Sequence, residues 1–166
     1  MADLIATLCH QAARQAAGWR HWLHERPELS FQEFETTAFI EAQLRSFGGI
    51  EIRRPTPTGV VGVLRGGRPG KTTAFRADID ALPIQEDPAL EPHSQRDGVM
   101  HACGHDGHTA TLLATAKVLS QLRDQVSGTI LFLFQPAEEC PPGGAAAFVQ
   151  AGVLQGVDLI FGMHYH

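Results

Sequence analysis

Between His101 and His108 the chain reads His-Ala-Cys-Gly-His-Asp-Gly-His, with three imidazoles, one thiol and one carboxylate in eight residues. Thiolate, neutral imidazole and carboxylate are the donors that zinc, nickel, cobalt and manganese accept, so the stretch predicts a metal site. The competing reading is a polar loop whose histidines cap the helix that follows. A cluster this dense in Cys, His and Asp favours the metal. Three other places carry groups of the same kind. They are Asp78 and Asp80 in Asp78-Ile-Asp80-Ala-Leu-Pro83, the pair Glu138-Glu139 after Gln135-Pro-Ala, and His164 in Gly162-Met-His164. Taken alone each has an ordinary reading, adjacent glutamates as a solvated face and His164 as a strand-end histidine.

The elements that must position these groups can be read from hydrophobic spacing. Leu4, Ile5, Leu8, Ala12, Trp19, Trp22 and Leu23 recur at helical intervals, with Gly18 a weak point, until Arg26-Pro27 breaks the helix. Ser30 followed by Glu33 reads as a capping box opening a second helix, whose apolar face is Phe34, Ala38, Phe39, Leu44 and Phe47 and which Gly48-Gly49 ends. Gly59 to Leu64 and Thr72 to Asp78 are β-rich and flank the glycine-rich stretch Arg65 to Lys71, which predicts a hairpin. Acidic residues form strands poorly, so Asp78 and Asp80 are expected to project as loop residues from the sheet edge.

A polar loop from Gln85 to Gly98 leads to the His101 cluster, which is expected on a loop entering a helix over Thr109 to Leu122. The amide groups of that helix N-terminus would help hold Cys103 as a thiolate. Thr129-Ile-Leu-Phe-Leu-Phe134 is an uninterrupted apolar run, the mark of a strand buried on both faces. A short helix within Gly143 to Gly152 and a second buried strand, Val157 to Phe161, follow. Three strand ends then carry the acidic and imidazole groups, and ligand sites in open α/β sheets gather at carboxyl ends of strands. His101 and His108 are expected to support or cap rather than ligate, and His24 to pack between the first two helices.

A chain of 166 residues, 43% hydrophobic and 19% charged, supports one ordinary domain with a real core. The net charge of -5, without any run of Lys and Arg, argues against a nucleic-acid surface. Cys9, Cys103 and Cys140 are too few and scattered for a disulfide framework, which predicts reduced thiols and a cytoplasmic location. The N-terminus carries Asp3 and no basic segment or long apolar core, so it does not read as a secretory signal, and no apolar run reaches membrane-spanning length.

Five ordered motifs resemble those of the M20 metallopeptidase superfamily. They are Trp22-Leu-His-Glu-Arg-Pro-Glu-Leu-Ser-Phe31, Arg76-Ala-Asp-Ile-Asp-Ala-Leu-Pro83, Gly98-Val-Met-His-Ala-Cys-Gly-His-Asp-Gly-His108, Gln135-Pro-Ala-Glu-Glu139 and Gly162-Met-His164. The likeness is to its amidohydrolase branch, which holds hippurate hydrolases, N-acyl-amino-acid amidohydrolases and hydrolases of auxin conjugates. It implies a three-layer α/β/α zinc-peptidase-like domain with a mixed sheet and a centre of two divalent ions, manganese, zinc, nickel or cobalt. By motif the ligands would be Cys103, His105, Glu139 and His164, with Glu138 as general base and Asp80, rather than Asp78, supporting the centre from behind. Neighbouring glutamates at a strand end point in different directions, so one can ligate while the other faces water. The implied reaction is attack of a metal-bound hydroxide on the amide of a small N-acyl amino acid such as hippurate. Cys140 stands where the family commonly has glycine, and it reads as a loop thiol.

Family members continue past the position of His164 into a lid domain that commonly dimerises, and return to complete the catalytic domain with a last metal-binding histidine. Residues 1–166 are therefore expected to be the N-terminal portion of that domain, truncated, with an exposed sheet edge. Two function classes follow. One is an amidohydrolase represented by its N-terminal part. The other is a non-catalytic chain that at most binds metal or associates with another polypeptide, and by itself has little or no turnover.

Overall fold

The computed structural model describes residues 2–164. A helix α1 (Ala2–Glu25) and a helix α2 (Phe34–Phe47) precede the strands β1 (Ile50–Arg53), β2 (Val60–Arg65) and β3 (Arg68–Asp78). Then come α3 (His105–Gln121), β4 (Ser127–Gln135), the short α4 (Gly144–Gln150) and β5 (Leu159–Gly162). The strands form one mixed sheet in the order β1-β2-β4-β3-β5. β1 pairs antiparallel with β2, and β2 with β4, whereas β3 runs parallel to both β4 and β5.

Alternation along β4 explains the layers. Ile130, Phe132 and Phe134 face a core shared with Trp19, Ile40, Leu44, Leu112 and Leu113 from the first three helices. Leu131 and Leu133 face the other way, onto Phe148 of α4 with Val61, Val63 and Ala74. The apolar run is thus a central strand buried on both faces, and the architecture is the expected three-layer α/β/α. Phe132, Phe134, Leu113 and Ile40 are fully buried, each contributing about 1.5 to 3 kcal/mol of transfer free energy. Among the described residues no helix is long and apolar enough to cross a membrane.

Four local expectations are corrected. The segments before and after Arg65 to Lys71 do not form a hairpin, because β4 lies between them. The glycines serve a crossing instead: the chain passes over the start of β4 so closely that a Cβ on Gly66 would lie 2.3 Å from the carbonyl oxygen of Val126. No capping box opens α2. Glu33 makes no side-chain cap, the carboxylate of Glu28 accepts the amides of Glu35 (3.1 Å) and Thr36 (2.7 Å), and Ser30 donates to Asp80. Its buried face is Thr36, Thr37, Ile40 and Leu44, while Phe34 is exposed. Third, α3 begins at His105 rather than Thr109, so the second half of the His101 cluster is helical. Last, β5 is not buried: it is an edge strand with Ile160 and Phe161 each 53% exposed. Only β3 pairs with it among the described residues, which leaves both its faces thinly covered.

Candidate metal centre

The parallel run of β3, β4 and β5 brings three carboxyl ends to one edge of the sheet, as strand direction requires. Asp78 closes β3 in register with Gln135 at the end of β4, and Arg76 lies opposite Gly162 of β5. From these ends the chain delivers Asp78 and Asp80, then Glu138 and Glu139, then His164. The first turn of α3 supplies His105 and His108 from above, and Cys103 precedes its αL N-cap residue, Gly104.

Donor atoms of Cys103, His105 and Glu139 lie within 4.8 Å of one another. The same holds for Asp78, His105 and His108, a second set that the sequence reading did not single out. The ring of His164 stands 6.5 Å from that of His105 and 4.8 Å from that of His108, centroid to centroid. The four residues expected as ligands are therefore gathered in one place.

His105 reveals how the set is oriented. Its Nδ1 donates to the carbonyl oxygen of Asp80 at 2.9 Å, with Asp80 Oδ1 at 3.3 Å. In the neutral ring that places the lone pair on Nε2. Nε2 is buried and makes no hydrogen bond, yet faces Asp78 Oδ2 at 3.6 Å and Glu139 Oε1 at 3.7 Å. An orphaned buried acceptor among carboxylates and a thiol is the environment a divalent cation completes. Charge argues the same way. The hydrogen bond to Glu139, partial burial and the nearby carboxylates push the Cys103 thiol up to about 11, against the expectation that the helix N-terminus would help hold it as a thiolate. The half-charge of a helix end is outweighed by the acidic groups around it, and a bound cation reverses that balance.

Asp80 ties the cluster together. Its Oδ2 accepts the Ser30 hydroxyl at 2.7 Å and the backbone amide of Glu139 at 3.0 Å, while the same residue holds His105. Burial pushes its carboxyl upward, but the bonds from His105, Glu139 and Ser30 prevail and hold it well below the usual carboxylate range. Asp78 is engaged differently, by Arg76 Nη1 at 2.8 Å and by His108 Nδ1. Glu138 is exposed beside the half-buried Glu139, so the two neighbours do face different surroundings.

Glu33 is a prop for this loop rather than the cap its spacing predicts. Fully buried, it accepts the amide of Ala137 at 2.7 Å, and Ala137 holds a φ of 48° immediately before Glu138. Gly144 packs under the same turn, donating to Ala137 at 2.9 Å, and a Cβ there would lie 2.0 Å from the carbonyl oxygen of Pro136. His24 is not a packing residue between α1 and α2. It bonds Asp106 and Glu86. His101 caps nothing: it is buried with neither ring nitrogen hydrogen-bonded, and burial pushes it down to about 4. All three cysteines are free, with Cys140 exposed.

Residues 74–166 match the sequence profile of Peptidase family M20/M25/M40. An N-acyl-L-amino acid amidohydrolase of Geobacillus stearothermophilus is 55% identical over 160 residues, which are 96% of this chain and 43% of that protein. Two solved structures align with high fidelity. The Bacillus subtilis YXEP protein, described as a dinuclear metal binding peptidase from the M20 family, gives a TM-score of 0.89 at 48% identity over 95% of this chain and 44% of its own. A putative aminohydrolase from methicillin-resistant Staphylococcus aureus gives 0.90 at 45% identity over 97% and 41%. The chain thus spans about two fifths of the length of the relatives it matches. Shared fold, ordered motifs and the gathered donor set agree, and the chain belongs to Peptidase family M20/M25/M40.

Proposed function

We propose that this chain forms the N-terminal, metal-binding portion of an amidohydrolase catalytic domain acting on N-acyl amino acids of the hippurate kind. The observation that carries the reading is His105, whose Nδ1 is locked by Asp80 and whose buried Nε2 points without a partner toward Glu139 and Asp78. Cys103, His105, Glu139 and His164 would hold the ions, with Asp80 orienting two of them. Two divalent cations supply Lewis acidity that lowers the pKa of water and polarises an amide carbonyl. Glu138 is the general base: its exposed carboxylate takes a proton from the attacking water and returns it to the leaving amine. The donor set suits manganese, zinc, nickel or cobalt. Three free thiols suit a reducing, cytoplasmic setting.

A second reading, a chain that binds metal without turnover by itself, is favoured by the exposed β5 edge. One experiment separates them. The chain is loaded with cobalt or manganese, its stoichiometry measured, and release of benzoate from hippurate followed. Metal retained by wild type and by Glu138→Gln, but lost from Cys103→Ser and His105→Ala, is the expected result for the site, and unchanged stoichiometry in the last two overturns it. Robust turnover abolished by Glu138→Gln would overturn the second reading.

A further inference from the structure

We infer that His24 is a positioning residue for the metal-binding turn: a buried imidazolium clamped between Asp106 and Glu86 that fixes the start of α3, and so His105, against α1. The inference rests on the reading of Cys103, His105 and Glu139 as a metal donor set. His24 lies at the last turn of α1 and is 6% exposed. Its Nδ1 stands 2.8 Å from Asp106 Oδ2 and its Nε2 stands 3.0 Å from Glu86 Oε1. A neutral imidazole offers one N–H and one lone pair, and a lone pair set against a carboxylate oxygen is repelled. With both carboxylates ionised, the doubly protonated ring satisfies both contacts and a neutral ring does not, each contact then being a charge-assisted bond. The hydrogen bond to Asp106, opposed by burial and reinforced by Glu86, raises the His24 pKa in the same sense.

The surroundings of the ring are balanced for a cation. From α1 itself comes Arg20, whose Nε donates to Asp106 Oδ2 at 3.0 Å. Asp106 comes from α3 and Glu86 from the loop after β3, so two cations meet two carboxylates. His101 is a further titratable neighbour, buried with neither ring nitrogen hydrogen-bonded. Every other oxygen is engaged: Asp106 Oδ1 accepts the Gly107 amide at 2.8 Å and Glu86 Oε2 accepts the Ser94 amide at 2.6 Å. Because Asp106 follows His105 directly, the clamp bears on a ligand. Without it, two buried carboxylates lose their common partner and repel, and the first turn of α3 rotates His105 Nε2 away from Cys103 and Glu139.

The test uses the metal-free and cobalt-loaded chain. Long-range nitrogen NMR at neutral pH should give both His24 nitrogens imidazolium shifts, and a neutral tautomer there overturns the clamp. His24→Gln should keep its circular dichroism spectrum yet bind cobalt about 10- to 100-fold more weakly, read by the thiolate-to-cobalt band. Glu86→Gln, which keeps an acceptor at Nε2 but removes one charge, should weaken cobalt binding several-fold and lower the pH at which His24 loses its proton. It decides the matter if His24→Gln does not fold. Wild-type affinity in the folded variants overturns the inference. A wild-type chain with no cobalt band sensitive to Cys103→Ser overturns the metal reading instead, and the two failures are distinct.

Discussion

Removing the Glu33 carboxylate should unsettle the turn that carries Glu138 and Glu139, whereas removing only its charge should not. Glu33→Ala leaves the buried Ala137 amide without its 2.7 Å acceptor, at a cost of about 1 to 3 kcal/mol. Lost methylene burial contributes about 1 kcal/mol more. The sum of about 2 to 4 kcal/mol corresponds to a fall in Tm of roughly 5 to 15 °C for a chain of this size. Glu33→Gln keeps an acceptor for Ala137 and places an amide where Oε2 now has no partner. Its effect depends on pH. Burial raises the Glu33 pKa, against the bonds from Ala137 and Thr58. Stability from a raised acid is fully present below its unfolded pKa and is lost as pH rises through the folded one. The glutamine variant should therefore match wild type below the ordinary carboxyl value of 4.5 and become the more stable protein as pH rises through the raised folded value. Thermal denaturation by circular dichroism across that range measures both effects. An alanine variant that loses less than about 0.5 kcal/mol, or a glutamine variant that tracks it at every pH, would falsify the role of Glu33 as a prop.

Asp80→Ala should weaken metal binding about 10- to 100-fold by releasing His105 and the Glu139 amide together, and calorimetric titration of cobalt reads this directly. Gly144→Ala should displace the Pro136 to Glu139 turn, since its Cβ would meet the Pro136 carbonyl at 2.0 Å. A Tm equal to wild type would show that the turn yields without cost. Metal affinity should climb with pH, by up to about tenfold per unit for each proton released, because Cys103 sits near 11 and His105 is raised by Asp80 and Asp78 against its burial. A flat profile in the same titration would exclude Cys103 as a ligand.

Much of the site was legible because its residues sit at strand ends, where hydrophobic runs stop abruptly. The β4 run marked a strand buried on both faces, and Glu138 and Glu139 follow it directly. What stayed hidden depends on partners far away in the chain. Ser30 and Glu33 carry the spacing of a capping box, but their acceptor and donor are Asp80 and Ala137, reached only after folding. His24 lies within the first motif, but the two carboxylates it meets are 62 and 82 residues distant. β1 escaped notice because Ile50–Arg53 is four residues long with alternate side chains exposed. The glycines from Gly66 to Gly70 suited a hairpin and a tight crossing equally well, and only the placement of β4 decides between them.

That placement also governs how the protein comes into being on the ribosome. β4 is the hydrogen-bonding neighbour of both β2 and β3, yet it is synthesised after α3. Until it emerges, β1 and β2 can form only a two-stranded ribbon, and β3 has no partner at all, since β5 comes later still. A nascent chain therefore holds Val60 to Leu64 and Ala74 to Ala77 uncovered through the making of the whole donor cluster. Such non-local closure folds slowly and leaves time for wrong pairings. Supplying a holdase should raise the yield of soluble chain, and slowing translation between β3 and β4 should lower it.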